Sequence, residues 1–298
     1  MKLQHRLETA AASLVSSFVR LLPRSAALAL GRGLGSALGA CDRRHREIAV
    51  ANLRASFPDW DEARLYATAR GVYRHFGAIL LDILWLEGRS AETFTRLIEF
   101  EGEENLQKAV AAGKGVLYCT AHIGNWEVNA AAHAILHENV GVLARPLDNP
   151  ALDARLCGFR EAFGNTVIYK RKALAQVIRL LRAGRSVAVL LDQNVQRSDG
   201  IFISFFGRPA ATTTVAAALA LKTGCALVPA HAVLLADGRY RLRYEPALHV
   251  DPDPKDREVE IARLTQLLAA RTEAWIRERP EQWLWIHRRW KTQPEPGA

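Results

Sequence analysis

From Ile98 onward the chain alternates short apolar runs with stretches of helical period, and this alternation narrows the possible folds more than any other feature. Strands are expected at 98–100, 116–119, 140–144, 166–169, 187–191 and 226–235, as brief apolar runs, the second of them bounded by Gly-Lys-Gly. Helices are expected between them at 103–112, 126–137, 151–163, 173–183 and 213–223. A chain that alternates in this way buries its apolar runs when crossover helices join parallel strands. The fold class is therefore α/β, a mixed, mostly parallel central sheet flanked by helices. Asp237-Gly238 adds a hairpin partner over 240–244. The turn-rich Asp251-Pro252-Asp253-Pro254 separates the sheet from a last helix over 258–279.

Before residue 60 the pattern is helical only. Leu3, Leu7, Ala10, Leu14, Phe18 and Leu21 recur at three- and four-residue steps and form one apolar stripe. Glu8 and Arg20 leave between them an uncharged window well short of the ~20 residues that a spanning helix needs. The stripe either lies on a membrane or packs on the protein's own core. Pro23 ends this helix, a Gly- and Ala-rich segment follows over 26–40, and Arg43 to Phe57 resumes a helical rhythm up to Pro58. The expected organisation is a helical, membrane-associating segment over 1–60 and an α/β domain over 61–298. A long helix over 61–87 ends in Ala78-Ile79-Leu80-Leu81-Asp82-Ile83-Leu84-Trp85-Leu86, which is apolar on nearly every side except at Asp82. Such a helix is buried in protein or faces lipid.

The densest chemistry lies in Thr120-Ala121-His122-Ile123-Gly124-Asn125-Trp126-Glu127, where a strand hands over to a helix. At about 100° per residue, two side chains five positions apart point to different faces of a regular helix. His122 and Glu127 can cooperate only across a bend, and Gly124-Asn125 supplies the residues that tolerate one. Asn125 is then the helix N-cap, Glu127 sits in the first turn where the helix dipole favours a carboxylate, and His122 remains on the loop. The product is a polarised general base at the carboxyl end of a strand, where open α/β sheets place their ligands. A loop-capping His beside a Glu placed there for the dipole alone would give the same eight residues.

Composition restricts the partners. A formal charge of +9 favours anionic ones: nucleic acid, acidic proteins, phosphorylated substrates or an anionic membrane. Aromatic residues do not interleave with basic ones in any nucleic-acid-binding motif, so no nucleic acid is expected. Cys41, Cys119, Cys157 and Cys225 are far apart and fit a reducing compartment. His133 and His137 lie one helical turn apart, yet no third ligand stands near them, so neither a metal nor a cofactor is expected. Gly31-Arg32-Gly33-Leu34-Gly35 follows a helical stretch instead of a strand, which argues against a nucleotide loop. Trp275, Trp283, Trp285 and Trp290 crowd a base-rich tail that suits either a membrane interface or the closure of a core.

Five stretches in order resemble the bacterial lipid A biosynthesis acyltransferases, the lauroyl- and myristoyl-transferases within the glycerolipid acyltransferase superfamily. They are Arg43-Arg44-His45-Arg46-Glu47-Ile48-Ala49 with Asn52-Leu53, then His122 to Glu127, then Arg145-Pro146-Leu147-Asp148-Asn149-Pro150. After these come Phe205-Phe206-Gly207-Arg208-Pro209-Ala210 with Thr212-Thr213-Thr214, and Gln282-Trp283-Leu284-Trp285 with His287-Arg288-Arg289-Trp290-Lys291.

The resemblance implies transfer of a fatty acyl chain from an acyl carrier protein thioester to a hydroxyl of a lipid A precursor. That acceptor is a phosphorylated glycolipid at the cytoplasmic face of the cell inner membrane. It implies His122 as general base, with Glu127 holding the ring tautomer, and no acylated side chain. Backbone N–H groups at Gly124 and Asn125 are candidate donors to the thioester oxygen. Arg160 and Asp192 match positions where the family places functional polar residues, and Arg145 is a candidate phosphate contact. Lys170-Arg171-Lys172 is a solvated turn or a contact for the acidic carrier protein. Other acceptors fit the same chemistry, among them a glycerophospholipid, an ornithine lipid or a phosphatidylinositol mannoside. A non-enzymatic basic protein bound to membrane surfaces is the reading from charge alone.

Overall fold

The expected strands join into one seven-stranded sheet in the computed structural model, which describes residues 2–169 and 173–295. Its strands are β1 (Ile98–Glu101), β2 (Val116–Thr120), β3 (Val140–Ala144), β4 (Thr166–Tyr169), β5 (Ser186–Leu190), β8 (Ala226–Leu234) and β9 (Tyr240–Tyr244). They run in the order β1-β9-β8-β2-β5-β3-β4, and among these neighbours only β8 and β9 are antiparallel. All five residues of β2 are buried, with β8 on one side and β5 on the other, so β2 is the spine of the sheet.

Helices cover both faces. Leu117 and Cys119 of β2 pack with Val177 and Leu181 of α9 (Ala173–Arg182), Leu219 of α10 (Val215–Thr223) and Leu264 of α11 (Arg257–Glu278). Val116 and Tyr118, pointing the other way as a pleated strand requires, pack with Leu106 and Ala109 of α6 (Glu103–Ala111). Two of the connecting helices start at a side-chain cap. Asn125 accepts from Val128 N–H at 3.2 Å to open α7 (Trp126–Leu136), and Asn149 accepts from Ala151 N–H at 3.1 Å, with Pro150 in the first turn, to open α8 (Pro150–Glu161).

The N-terminal helices α1 (Leu3–Leu21), α2 (Arg24–Cys41) and α3 (Arg43–Ser56) pack around α4 (Glu62–Leu86). Gly35 and Gly77 explain the glycine spacing of α2. A Cβ at Gly35 would come within 2.0 Å of Tyr73 O and one at Gly77 within 2.2 Å of Gly31 O, so these backbones touch only because side chains are missing. Asp82, fully buried on α4, binds Arg24 through two 2.7 Å hydrogen bonds and accepts from the Tyr240 hydroxyl at 2.6 Å. Among the described residues no helix is long and apolar enough to cross a membrane.

An extra two-stranded hairpin, β6 (Ile201–Phe205) with β7 (Arg208–Thr212), was not among the expected strands. Its turn places Phe206 at φ 53°, an unusual conformation for a bulky residue, so no standard turn signature announces it. The four tail Trp residues are all buried, and Trp275, Trp283, Trp285 and Trp290 share one cluster with Phe205 and Phe206. Closure of a core, not display at an interface, is what they do.

Candidate active site

Strand register brings the central pair together. Thr120 and Leu190, the last residues of the parallel neighbours β2 and β5, stand opposite each other, and Leu191 N–H donates to Thr120 O at 3.0 Å. Two residues beyond each strand, His122 and Asp192 therefore meet. His122 Nδ1 lies 2.8 Å from Asp192 Oδ1, and the His122 backbone N–H donates to Oδ2 at 2.9 Å. Oδ2 also accepts from Trp283 Nε1 at 2.7 Å. Burial acts to raise the Asp192 pKa, but the charge of His122 and the hydrogen bonds from His122 and Trp283 outweigh it and hold the carboxyl at about 2. An ionised carboxylate on Nδ1 places the proton there and leaves Nε2 as the acceptor, 3.3 Å from the Gln193 amide nitrogen.

The bend required by the five-residue spacing is present. Gly124 has φ +57°, and a Cβ there would sit 1.7 Å from Ala232 O, so only glycine fits. The buried His75 on α4 donates Nε2–H to Gly124 O at 3.1 Å. Glu127 lies in the first turn of α7 and is bound by Arg160 of α8, with Nε to Oε2 at 2.8 Å and Nη2 to Oε1 at 2.5 Å. Trp126 Nε1 donates to the same Oε1 at 3.1 Å.

Two expectations change here. The side chain that holds His122 Nδ1 is Asp192, because the β2–β5 register delivers it there, while Glu127 is engaged by Arg160. The backbone N–H groups of Gly124 and Asn125 already donate to Gln282 O at 2.9 Å and Ala232 O at 3.1 Å, so in this arrangement neither points to a thioester oxygen. Asn125 instead caps α7 and donates its amide to the Tyr240 hydroxyl at 3.0 Å. Arg145 is exposed on the loop between β3 and α8 and is not among the residues that line the cavity beside Glu127 and Arg160. Lys170-Arg171-Lys172 lies outside the described residues.

A cavity of about 600 Å³, its opening included, runs between the sheet and α7. Trp126, Glu127 and Arg160 line one part of it, and Tyr118, Val142 and Ala188 another. Trp126, one of the lining residues, stands edge-on to the His122 ring at 5.0 Å between centroids. The cavity walls are mostly apolar, so it suits a hydrocarbon chain. Cys119 is buried on the opposite face of β2 and burial pushes its thiol pKa well up, which removes it as a nucleophile.

Sequence reasoning singled out Gln282 and Trp283 as part of a family-like stretch but not their contacts with the His122 loop and Asp192, since Trp283 reaches Asp192 across 91 positions of chain; it gave Gln193 no role.

A family model described as bacterial lipid A biosynthesis acyltransferase matches residues 5–292. The chain is 29% identical over 283 residues to a lipid A biosynthesis lauroyltransferase of Escherichia coli (strain K12), covering 92% of this chain and 88% of that protein. It is 27% identical over 271 residues to a lipid A biosynthesis palmitoleoyltransferase of the same organism, covering 88% and 85%. A phosphatidylinositol mannoside acyltransferase of Mycobacterium tuberculosis (strain CDC 1551 / Oshkosh) is 28% identical over 193 residues, covering 63% of this chain and 58% of that protein.

Proposed function

The chain belongs to the bacterial lipid A biosynthesis acyltransferase family, and from that premise we propose that it transfers a fatty acyl chain from an acyl carrier protein thioester to a hydroxyl of a lipid A precursor. The observation that carries this reading is His122, with Nδ1 on a buried carboxylate and its ring against Trp126, which lines a mostly apolar cavity.

An alcohol attacks a thioester well only if its proton leaves as the C–O bond forms, and neutral His122 is the group placed to take it at Nε2. The acceptor oxygen adds to the carbonyl carbon, the tetrahedral intermediate expels the carrier's thiolate, and the imidazolium returns the proton to that sulfur. Asp192 fixes the tautomer and stabilises the imidazolium while it exists. Glu127 acts through Arg160: the carboxylate holds the guanidinium at the cavity wall, where a cation stabilises charge developing on the thioester oxygen. The cavity takes the acyl chain, and Arg145, on an exposed loop, is a contact for the acceptor's phosphate.

Residues 1–60 serve as the membrane-facing part and 61–298 as the acyltransferase domain, at the cytoplasmic face of the inner membrane. In support, α1 exposes Leu3, Leu7, Leu14, Phe18 and Leu21, and α2 exposes Leu34 and Leu38. With a formal charge of +9, such a surface suits an anionic bilayer.

The test is acyl transfer by the purified protein from acyl carrier proteins loaded with chains of graded length to a lipid A precursor, with phosphatidylinositol mannoside as a parallel acceptor. His122→Ala is expected to lower kcat by roughly 10²- to 10⁴-fold while the protein stays folded. A near-normal rate in that variant removes the proposed base, and preference for the mannoside changes the acceptor.

A further inference from the structure

The C-terminal stretch from Gln282 to Arg289 is not an appendage to the site. It is threaded through the loop that carries His122. Ile123 and Trp283 form an antiparallel bridge, Gly124 N–H donates to Gln282 O at 2.9 Å, and Leu284 N–H donates to His122 O at 3.2 Å. Gln282 is itself locked to β8 at both ends of its amide, with Nε2 to Leu234 O at 2.8 Å and Leu234 N–H to Oε1 at 3.0 Å. Between these backbone anchors Trp283, 1% exposed, points its indole N–H at Asp192 Oδ2.

This contact matters because of what an Asp–His pair does when left alone. A buried carboxylate beside an imidazole favours the imidazolium and raises the histidine's pKa, which takes a general base out of use near neutral pH. A donor on the carboxylate's other oxygen draws negative charge away from the imidazole and counters that effect. The charged and titratable groups around Asp192 are His122, His287 and Arg289. Arg289, 1% exposed, lines a second cavity together with Asp192 and is bonded to Ala211 O at 2.6 Å and to the Thr212 hydroxyl. Its charge acts in the same direction as the indole N–H. His287 accepts from Asn194 N–H at 3.0 Å through Nε2, and burial lowers its pKa, so it adds little positive charge of its own.

The geometry points to Trp283 as a positioning residue for acyl transfer, whose indole N–H on Asp192 keeps His122 neutral and able to accept a proton. The inference rests on His122 being the base, and its test reads the imidazole separately from turnover. Two variants are compared with the wild-type full chain. One is Trp283→Phe, which keeps an aromatic ring without the donor. The other incorporates benzothienylalanine at position 283, which replaces the indole N–H by sulfur at nearly unchanged volume and covers the case in which the Phe variant fails to fold.

The His122 ring is titrated by NMR with ¹³C-labelled histidine and assigned against His122→Ala, and kcat/KM is measured across pH in parallel. Loss of the donor on Asp192 returns negative charge to the imidazole, so the titration midpoint of His122 is expected to rise by about one pH unit. The acid limb of kcat/KM should follow it, with thermal unfolding little changed for the benzothienyl variant. A raised midpoint with an unmoved rate profile supports the Trp283 coupling and overturns the base assignment it rests on. An unmoved His122 midpoint in a folded variant overturns the inference.

Discussion

Asp192 and Glu127 are two buried carboxylates, each lining its own cavity, and they are fastened in opposite ways. Asp192 ends a sheet strand and draws its partners from the core: His122 from the neighbouring strand and Trp283 from the threaded tail. Glu127 opens a helix and is held by Arg160 on α8, a helix at the edge of the molecule. That helix is tied to the exposed α1. The amide of its cap, Asn149, donates to His5 O and to Glu8 at 2.9 Å, and its Arg155 pairs with Glu87, which accepts from Ser16 of α1 at 3.1 Å. The side to which we assign proton transfer is therefore built into the sheet, whereas the side to which we assign the acyl chain is held between helices α7 and α8.

Three experiments test this contrast, in descending order of expected effect. Asp192→Asn preserves shape but lets the imidazole take the wrong tautomer, so kcat should fall by as much as ~10⁴-fold with the unfolding midpoint nearly unchanged. A loss below tenfold would show that the sheet side is not the chemical side. Arg160→Met strands the Glu127 charge in a buried site and should destabilise the protein by about 3–5 kcal/mol in denaturant titration. The double variant with Glu127→Gln should recover part of that loss, and a null effect of Arg160→Met would detach α8 from the argument.

The third concerns the joint between the two sides. Burial depresses the pKa of His75, which holds the Gly124 carbonyl, to about 4 from its ordinary 6.5. A base whose folded pKa is depressed contributes stability that is present above pH 6.5 and is lost as pH falls toward 4, because only the unfolded chain takes up the proton. His75→Gln, which keeps an N–H donor, should flatten the stability–pH curve between pH 6.5 and 4 by about 3 kcal/mol. An unchanged acid slope would place the acid-sensitive group elsewhere, at His133 or His231, both of which burial also depresses.

Much of the scaffold was legible because its signals are local. The strands over 116–119 and 187–191, the bend at Gly124-Asn125 and the cap at Asn125 each rest on a handful of adjacent residues, and all appear in the fold. The hairpin at 201–212 stayed hidden because its turn uses Phe206 in a left-handed conformation that no propensity predicts. Asp192 and His122 were each singled out, yet their pairing with one another was not. Glu127 lay nearer to His122 along the chain and took the role that register gives to Asp192. Asp82 stood out as the lone charge on a greasy helix, but the sequence offered no means of pairing it with Arg24, 58 positions away.

Sequence alone settled the layered α/β architecture and the residue types at the mouth of β2, since hydrophobic period, caps and glycine tolerance are properties of neighbours along the chain. The tertiary structure decided which acid serves which cation, because that choice depends on strand register and on how the tail threads the loop. Both are set by packing between segments up to 162 positions apart in the chain.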